Sequence, residues 1–281
     1  MTSIAIIGYG IVGQAVAHGF STEKMKEKYA TLFYDKFKES DTLESVVTAS
    51  DVIFICLPTP MKADESGIDL SIIEEMVAEV AQYTNGTDKI IVIKSTVVPG
   101  TTKRLQETHP ESHFCFSPEF LRETSHLHDA LHPDRIVIGA QNDVAAERLS
   151  KLFRAQFPYV HMFHTDPTTA EMVKYMANMY LAQKVMFANE MASVCNALGI
   201  EYGDVKSIVV GDHRIFDSHL DIHPEKGFGG KCFPKDLVAL RGRARELGVD
   251  MELLSKVWEL NKQCRTSKDW EEIPFAVTKD V

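Results

Sequence analysis

The sequence lacks the features that mark secreted and membrane proteins. Its five cysteines are Cys56, Cys115, Cys195, Cys232 and Cys264. They form no Cys-x-x-Cys pair and no disulfide-like spacing. This pattern predicts a protein of the reducing cytoplasm. No apolar run approaches the length needed to span a bilayer, and the N terminus enters a predicted strand too early to leave room for a signal peptide. We therefore expect no association with a membrane.

Basic residues are also in short supply. The chain has 30 Lys and Arg against 40 Asp and Glu, which gives a net charge of −10. A nucleic-acid-binding surface needs a basic face, so we expect no nucleic-acid partner. The hydrophobic content of 44% and the charged content of 25% are typical of a soluble globular protein. The chain has 281 residues, a length at which proteins begin to divide into two domains.

A glycine-rich turn near the N terminus indicates a dinucleotide-binding site. The first predicted strand runs into a helix through Gly8, Gly10 and Gly13. In this pattern the first glycine permits a tight turn, the second admits a pyrophosphate, and the third allows helix and strand to pack closely. The start of the helix, at Ile11 and Val12, then offers free N–H groups to the phosphates.

The second predicted strand, Ala30–Tyr34, ends at an acidic residue, Asp35. This carboxylate follows Gly13 by 22 residues, where an acid accepts the ribose hydroxyls of NAD and repels the 2′-phosphate of NADP. The adjacent Lys36, also a candidate cofactor contact, works against this preference. The sequence therefore predicts NAD as the cofactor.

Short apolar runs and helical patterns alternate through the first half of the chain. The further predicted strands are Asp51–Leu57, Lys89–Ile93, His113–Phe116 and Arg135–Gly139, and the predicted helices include Asp69–Tyr83 and Val144–Phe157. This alternation predicts an α/β fold with a Rossmann-like, doubly wound and mostly parallel sheet. We assign this NAD-binding domain to residues 1–165.

Three polar loops follow strands of the predicted sheet. They are Pro58-Thr59-Pro60, Ser95–Gly100 and Ser117–Glu123. Ligands bind at the carboxyl ends of strands in such sheets, which makes Pro58, Thr59, Ser95 and Thr96 candidate cofactor contacts. The alternative is that these segments are ordinary turns rich in Pro and Ser.

The second half of the chain is predicted to be helical. No glycine or proline interrupts Thr168–Leu198, and these 31 residues would extend for about 46 Å. We expect this spine helix to begin an all-α domain at residues 166–265, followed by an unassigned tail at 266–281. Lys174 and Asn178 share one face of the helix, either as solvated residues or as part of a ligand-binding cleft.

The most informative segment is the glycine-rich stretch Lys226–Leu237. It presents a single cysteine, Cys232, with Lys235 and Asp236 shortly after it. Glycines let the backbone close around a small polar ligand, and nearby cations favour the nucleophilic thiolate. The segment predicts covalent catalysis, or alternatively a glycine-rich turn around a buried structural cysteine.

The order of these motifs resembles the UDP-glucose/GDP-mannose dehydrogenase family from residue 3 to about residue 265. Besides the glycine turn, the resemblance rests on Ser95–Thr101, Ser117–Glu123, Pro133–Gly139, Glu171-x-x-Lys174-x-x-x-Asn178, Asp212-x-Arg214-Ile215 and Gly229–Asp236. It implies a two-step oxidation of a sugar C6 alcohol to a carboxylate, with reduction of two NAD molecules. Among substrates it favours UDP-glucose, which would yield UDP-glucuronate.

The resemblance also implies catalytic roles. Cys232 would attack the C6 aldehyde to give a thiohemiacetal and then a thioester, which water hydrolyses. Lys174 and Asn178 would stabilise the developing oxyanion. Asp236 would order or activate water.

Base and binding roles follow from the same resemblance. Glu119, with Thr96 and a water, would act as the general base, and Glu123 would line the boundary between cofactor and substrate. Arg214 would reach the substrate from the partner subunit of a homodimer built on the spine helix. The other implied substrate contacts are Phe120, Leu121, Arg122, Phe228, Gly229 and Lys235, beside Glu119, Lys174 and Asn178.

The chain departs from the family pattern at several points. Phe216 and Thr124 stand where glycines are usual, and the loop around His223 is longer. Family members continue into a second Rossmann-like domain that holds the nucleotide, whereas this sequence ends at Val281. The resemblance therefore implies a chain without the C-terminal nucleotide-binding domain.

Other functions remain open from the sequence. β-Hydroxyacid dehydrogenases also combine a Rossmann domain with a long helix that carries Lys and Asn four apart, but they perform one two-electron oxidation and need no cysteine. A non-catalytic dimer that binds NAD or sugar is a second alternative. His219–His223 and His126–Asp129 could hold a metal ion, but the family chemistry needs none and we predict none.

Overall fold

The computed structural model describes residues 2–278, without the side chains of Thr2 and Lys24. The chain forms two compact units. The first comprises the residues up to Thr59 together with Asp69–Lys174, and the second comprises Pro60–Ile68 together with the residues from Tyr175 onward. The domain boundaries expected at residues 165 and 265 stay a prediction. Residues 279–281 of the unassigned tail lie outside the described residues.

Within residues 2–278, seven strands form one sheet in the first unit. In chain order they are β1 (Thr2–Ile7), β2 (Tyr29–Tyr34), β3 (Val52–Ile55), β4 (Ile90–Ile93), β5 (His113–Phe116), β6 (Arg135–Ala140) and β7 (His161–Thr165). Their spatial order is β2-β1-β3-β4-β5-β6-β7, and of these described neighbours only β5 and β6 are antiparallel. The predicted mostly parallel α/β sheet is confirmed.

Strand β7 was not predicted from the sequence. This strand lies at the edge of the sheet, and its side chains His161, Phe163 and His164 are exposed. An exposed edge strand needs no buried apolar run, so the signal that identified the central strands is missing.

Helices cover both faces of the sheet. They are α1 (Ile11–Gly19), α2 (Glu23–Lys26), α3 (Leu43–Thr48), α4 (Ser71–Thr84), α5 (Thr101–Thr108), α6 (His126–Leu131), α7 (Asp143–Gln156) and the start of α8 (Pro167–Leu198). In β1, Ala5 and Ile7 pack in one buried cluster with α3 and α4, whereas Ile4 and Ile6 pack in another with α7. Because both faces of β1 are buried, the strand is apolar throughout. The fold is doubly wound, as predicted.

The strand order creates a topological switch point beside β1. After β2, on one side of β1, the chain crosses to β3 on the other side. In open α/β sheets, ligands bind outside the carboxyl ends of the strands at such a point. The glycine turn follows β1 there.

The spine helix α8 is confirmed with 32 residues. Asp166 caps its start, since its carboxylate accepts hydrogen bonds from the Thr169 amide at 3.0 Å and the Thr169 hydroxyl at 2.5 Å. Gly199 follows the helix with a left-handed φ of 69°, which is typical of a C-terminal stop. Among the helices of residues 2–278, none combines the length and hydropathy needed to cross a bilayer.

The second unit is helical. It contains most of α8 together with α9 (Tyr202–Val209), α10 (Phe233–Glu246) and α11 (Glu252–Cys264). Trp258 is 2% exposed and lies 5.2 Å, between ring centroids, from Trp270 of the tail. The Met61 amide donates to the Ala276 carbonyl at 2.8 Å. The tail left unassigned from the sequence therefore packs on this unit through residue 278.

Candidate active site

The glycine turn after β1 fits a dinucleotide pyrophosphate. A Cβ on Gly8 would lie 2.7 Å from the Cys56 carbonyl oxygen, and one on Gly13 would overlap the Gly8 carbonyl. Gly10, by contrast, has no heavy atom of the described residues within 4 Å of the position of a Cβ, and it begins α1 without a side-chain cap. The turn is therefore tightly packed on the protein side and open at the N–H groups of α1, including Ile11 and Val12.

Asp35 is held in a defined orientation at the end of β2. Its Oδ2 accepts from the Tyr9 amide at 2.7 Å and its Oδ1 from the Phe37 amide at 2.9 Å. A carboxylate fixed beside the glycine turn suits the ribose of NAD. Lys36 is exposed, while Lys38, which was not a predicted contact, donates to the Tyr9 carbonyl at 2.6 Å.

The loops after β3 and β4 are joined by hydrogen bonds. The Ser95 hydroxyl accepts from the Leu57 amide at 2.8 Å, and the Thr59 hydroxyl donates to the Thr96 carbonyl at 2.8 Å. The loop residues Pro58, Thr59, Ser95 and Thr96, predicted as cofactor contacts, thus lie together at the carboxyl edge of the sheet. Their contact with the cofactor stays a prediction.

Glu119 and Lys174 form a buried ion pair. The Lys174 Nζ donates to Glu119 Oε1 at 2.8 Å, and the second carboxylate oxygen accepts from the Leu121 amide at 2.7 Å. Phe120 lies beside them, with Lys174 Nζ 5.7 Å from its ring centre and the Arg135 guanidinium 3.9 Å from it. The structure brings together the predicted base and a predicted oxyanion donor.

A second lysine, Lys94, is half-buried and lies near this pair. Lys94 follows β4 and donates to the Pro118 carbonyl at 3.2 Å. Burial lowers the pKa of Lys94 to about 8, against the opposing influence of Cys56 and Glu119. Lys94 was not predicted as a site residue, because a single lysine after a strand carries no pattern of its own.

Arg122 and Glu123 lie apart from the buried pair in the same loop. The Arg122 guanidinium binds Asp129 with N–O distances of 3.0 and 2.6 Å, and both Arg122 and Glu123 are exposed. The Arg122 partner holds the pKa of Asp129 far below its usual range. The contacts of Arg122 and Glu123 with the substrate stay a prediction.

Cys232 stands at the start of α10 in the second unit. It is the N-cap residue, it is half-buried, and Pro234 lies in the first turn of the helix. The positive end of a helix dipole favours an anion such as a thiolate at this place. Phe228 and Gly229, predicted to contact the substrate, lie in the glycine-rich segment Gly227–Gly230 that precedes Cys232, and this contact stays a prediction.

Three predicted site residues, Asn178, Lys235 and Asp236, contact one another at the first turn of α10. The Asn178 amide donates to Asp236 Oδ2 at 2.6 Å, and the Lys235 ammonium donates to Asp236 Oδ1 at 2.6 Å. The Asp236 side chain is 1% exposed. A buried carboxylate with both oxygens occupied by fixed donors is a rigid group that can orient a neighbouring amide.

Arg214 is bound within its own turn. Its guanidinium pairs with Asp212 at 2.5 Å, and its side chain is 77% exposed. This exposed position leaves the predicted role toward a partner subunit as a prediction. Within the described residues, no cluster of three His, Cys, Asp or Glu side chains is arranged to hold a metal ion.

Two side-chain amides that were not predicted from the sequence hold the glycine-rich loop before Cys232. Asn261 accepts from the Phe228 amide at 2.7 Å and donates to the Phe228 carbonyl at 3.0 Å, and Asn189 accepts from the Gly227 amide at 3.2 Å. A signal existed for Asn261, since it occupies the fourth position of the apolar face that carries Leu254, Val257 and Trp258. A polar residue on such a face is buried and needs a partner.

Two sequence models of one family match the chain over most of its length. The model of the UDP-glucose/GDP-mannose dehydrogenase NAD-binding domain matches residues 22–157, and the model of the central domain matches residues 168–263. The chain belongs to this family. NAD is therefore its cofactor, and the glycine turn, which precedes the matched range, supplies the geometry that suits it.

Known members of the family extend further than this chain. The UDP-glucose 6-dehydrogenase of Rickettsia conorii is 37% identical over 233 residues, which cover 82% of this chain and 53% of that protein. The chain thus spans about half the length of the curated relatives it matches.

Solved structures give the same picture of the fold. A UDP-glucose dehydrogenase from the archaeon Pyrobaculum islandicum is similar with a TM-score of 0.80 and 29% identity, over 94% of this chain and 68% of that one. The 3-hydroxyisobutyrate dehydrogenase of Mycobacterium tuberculosis has a TM-score of 0.72 at 14% identity, over 94% and 93%. The second likeness shows a shared fold alone.

Proposed function

We propose that this chain carries the catalytic residues of an NAD-dependent dehydrogenase that oxidises the C6 hydroxyl of a nucleotide sugar, UDP-glucose, to the carboxylate. Membership of the family and the activity named for the Rickettsia conorii relative support this proposal. The observation that carries it is Cys232 at the N-cap of α10, one turn before the buried Asp236. A β-hydroxyacid dehydrogenase has no need of such a cysteine.

The first oxidation requires a base for the C6 hydroxyl. Glu119, kept ionised by Lys174, would take this proton through a water, and Thr96 would help to place the water. NAD, when bound, accepts a hydride in each of the two oxidations. The product of the first oxidation is the C6 aldehyde.

The second oxidation uses the thiol. The Cys232 sulfur adds to the aldehyde carbon, and the oxygen that becomes negative is stabilised by Lys174 and Asn178. Loss of a second hydride leaves a thioester on Cys232. Water ordered by Asp236 then displaces the sulfur, so that the alcohol, one water and two NAD give the carboxylate, two NADH and three protons.

Separate residues would bind the cofactor and the substrate. Asp35 would accept the ribose hydroxyls of NAD, with the glycine turn at the pyrophosphate. Phe228, Gly229 and Lys235 would contact the sugar, and Arg214 would contact the substrate of a partner subunit. Each of these contacts is part of the proposal.

A homodimer is the proposed assembly, formed along α8. Five large apolar side chains on this helix are exposed by 52 to 70%, namely Met176, Tyr180, Phe187, Val194 and Leu198. Their spacing of four, seven, seven and four residues keeps them along one side of a helix, as in a helix-pairing seam. Sedimentation equilibrium should give twice the mass of the chain, and Phe187→Glu should shift it to the monomer.

A substrate assay tests the activity. The chain should reduce NAD with UDP-glucose and yield two NADH per sugar, while one NADH per sugar would indicate a two-electron enzyme. Cys232→Ala should abolish acid formation with NAD binding retained, and Cys264→Ala, the other half-buried cysteine, should leave it unchanged. Normal UDP-glucuronate formation by Cys232→Ala would contradict the thioester route.

The cellular location is part of the same proposal. A nucleophilic thiol such as Cys232 needs a reducing compartment, so we place the protein in the cytoplasm. Cell fractionation checks this assignment.

A further inference from the structure

The glycine-rich loop before Cys232 has an unusual backbone. Lys226, Gly227 and Gly230 all adopt left-handed φ values, of 55°, 51° and 73°. Glycine tolerates this region, but a lysine with a Cβ is strained in it. Strained residues persist where the surrounding structure holds them. The groups that hold Lys226 and Gly230 therefore set the conformation of the loop.

An ion pair from outside the loop bonds to both of its ends. The Arg265 guanidinium donates to the Lys226 carbonyl at 3.0 Å. Asp269 accepts from the Gly230 amide at 3.1 Å, and Arg265 and Asp269 bind each other at 3.0 Å. The Arg265 side chain is only 6% exposed, so its charge has little access to water and depends on these partners.

The pair also packs directly on the loop. A Cβ on Gly229 would overlap both the Arg265 Nη2 and the Asp269 Oδ1. A side chain at this position would displace the pair, so the packing of the pair favours glycine here. Asp269 belongs to the tail that the sequence left unassigned, and no part of the proposed chemistry uses it.

We propose that the Arg265–Asp269 pair is a positioning element that holds the loop Lys226–Gly230 in the conformation that presents Cys232. The inference rests on the proposed function in one respect, which is the role of Cys232 as the nucleophile. The pair acts by fixing backbone groups: Asp269 holds the Gly230 amide, two residues before the sulfur, and Arg265 holds the Lys226 carbonyl. A displacement of about 1 Å between reacting groups can lower the reaction rate by about 10²-fold. The hydrogen bonds that hold the loop therefore matter for catalysis.

A comparison of Asp269 variants tests this role in the intact protein. Asp269→Ala should lower kcat with UDP-glucose by about tenfold or more and leave the KM for NAD within about twofold. Asp269→Asn should recover part of kcat, because its amide oxygen still accepts from the Gly230 N–H although it no longer pairs with the Arg265 charge. Glu271→Ala is the matched control, since Glu271 lies in the same helical turn as Asp269 and pairs with the exposed Lys268. A kcat of Asp269→Ala within about twofold of the parent, or equal losses in the Ala and Asn variants, would overturn the proposal.

Hydrogen exchange gives a readout that does not depend on turnover. Amides of residues 227–231 should exchange at least about fivefold faster in Asp269→Ala than in the parent or in Glu271→Ala. Should Asp269→Ala fail to fold, Arg265→Lys keeps the charge, loses the forked contact, and should speed exchange in the same peptide. Unchanged exchange would refute the inference even in an active enzyme. Faster exchange in a protein without dehydrogenase activity would instead refute the proposed function alone.

Discussion

Lys174 and Glu119 form an ion pair at 2.8 Å whose side chains are only 4% and 10% exposed. Burial alone raises the pKa of Glu119, but the ammonium of Lys174, assisted by the Leu121 amide, outweighs burial and holds that pKa below its usual value. The carboxylate is therefore ionised at neutral pH and available as a base. In the proposed mechanism, the Lys174 ammonium would also stabilise the negative charge that develops on the C6 oxygen.

Removal of one partner from this pair should affect both rate and stability. We expect Lys174→Ala to lower kcat by about 10²–10³-fold, the size expected for one lost oxyanion donor. Its unfolding free energy should fall by about 3–5 kcal/mol, because Glu119 remains buried and unpaired. Steady-state kinetics and urea denaturation measure the two effects.

Two further variants separate pairing from general damage. The double variant with Glu119→Ala should be less destabilised than the sum of the single changes, since it leaves no unpaired charge. Lys103→Ala is the control, because its contact with Glu107 is exposed and should contribute about 0–1 kcal/mol. Full activity of Lys174→Ala would show that this lysine has no role in catalysis.

Asn178 should matter as a second oxyanion donor. Asp236 holds its amide at 2.6 Å, which fixes the direction of the other N–H. Asn178→Ala should therefore lower kcat by about 10²–10³-fold with little change in the KM for NAD. Asn196→Ala, at an exposed position near the end of α8, should be neutral. An Asn178→Ala enzyme with normal kcat would remove the residue from the site.

Asp35 should select NAD over NADP. Its carboxylate is fixed by the amides of Tyr9 and Phe37, so it cannot turn away from a 2′-phosphate without losing both bonds. Titration calorimetry should show that NADH binds at least about tenfold more tightly than NADPH, a difference of about 1.4 kcal/mol. Asp35→Ala should remove most of this difference, whereas Asp41→Ala, an exposed acid shortly after it, should preserve it. Equal affinities in the parent would contradict the role of Asp35.

Glu171 should make stability depend on pH. Its carboxylate is 0% exposed and accepts from the Gly100 and Thr102 amides at 2.6 and 2.8 Å. Burial raises the pKa of Glu171 to about 7, despite the hydrogen bonds to Thr102 and Gly100 that lower it. A carboxyl group whose pKa is higher in the folded than in the unfolded chain stabilises the fold fully below its unfolded pKa, and this contribution is lost as pH rises through the folded pKa.

The expected window for this effect runs from about pH 4.5 to about pH 7. Across it, the contribution of Glu171 to the unfolding free energy should fall by about 3 kcal/mol, from a shift of about 2.5 pKa units at 1.36 kcal/mol each. Urea denaturation of the parent and of Glu171→Gln at several pH values isolates this term, because Gln does not titrate. Parallel pH profiles of the two proteins would show that Glu171 does not titrate in this range.

The capping of α8 shows where local sequence rules stop. Thr168 and Glu171 have the spacing of a capping box, and Asp166-Pro167 also suits a helix start. In the structure Asp166 caps the helix, and Glu171 instead binds the amides that begin α5. Local spacing allowed both arrangements, and the choice depended on which distant backbone groups needed an acceptor.

The central strands, the glycine turn after β1 and the uninterrupted helix α8 follow from the sequence by itself, because each depends on periodicity or on residues adjacent in the chain. The order of the motifs likewise indicated the family. Only the tertiary structure decided the pairing of Glu119 with Lys174, 55 residues apart, and the contact of Asp269 with Gly230, 39 residues apart. It also decided the place of the exposed edge strand β7. Such contacts form between segments whose separate patterns carry no record of each other, so they appear only once the chain has packed its core.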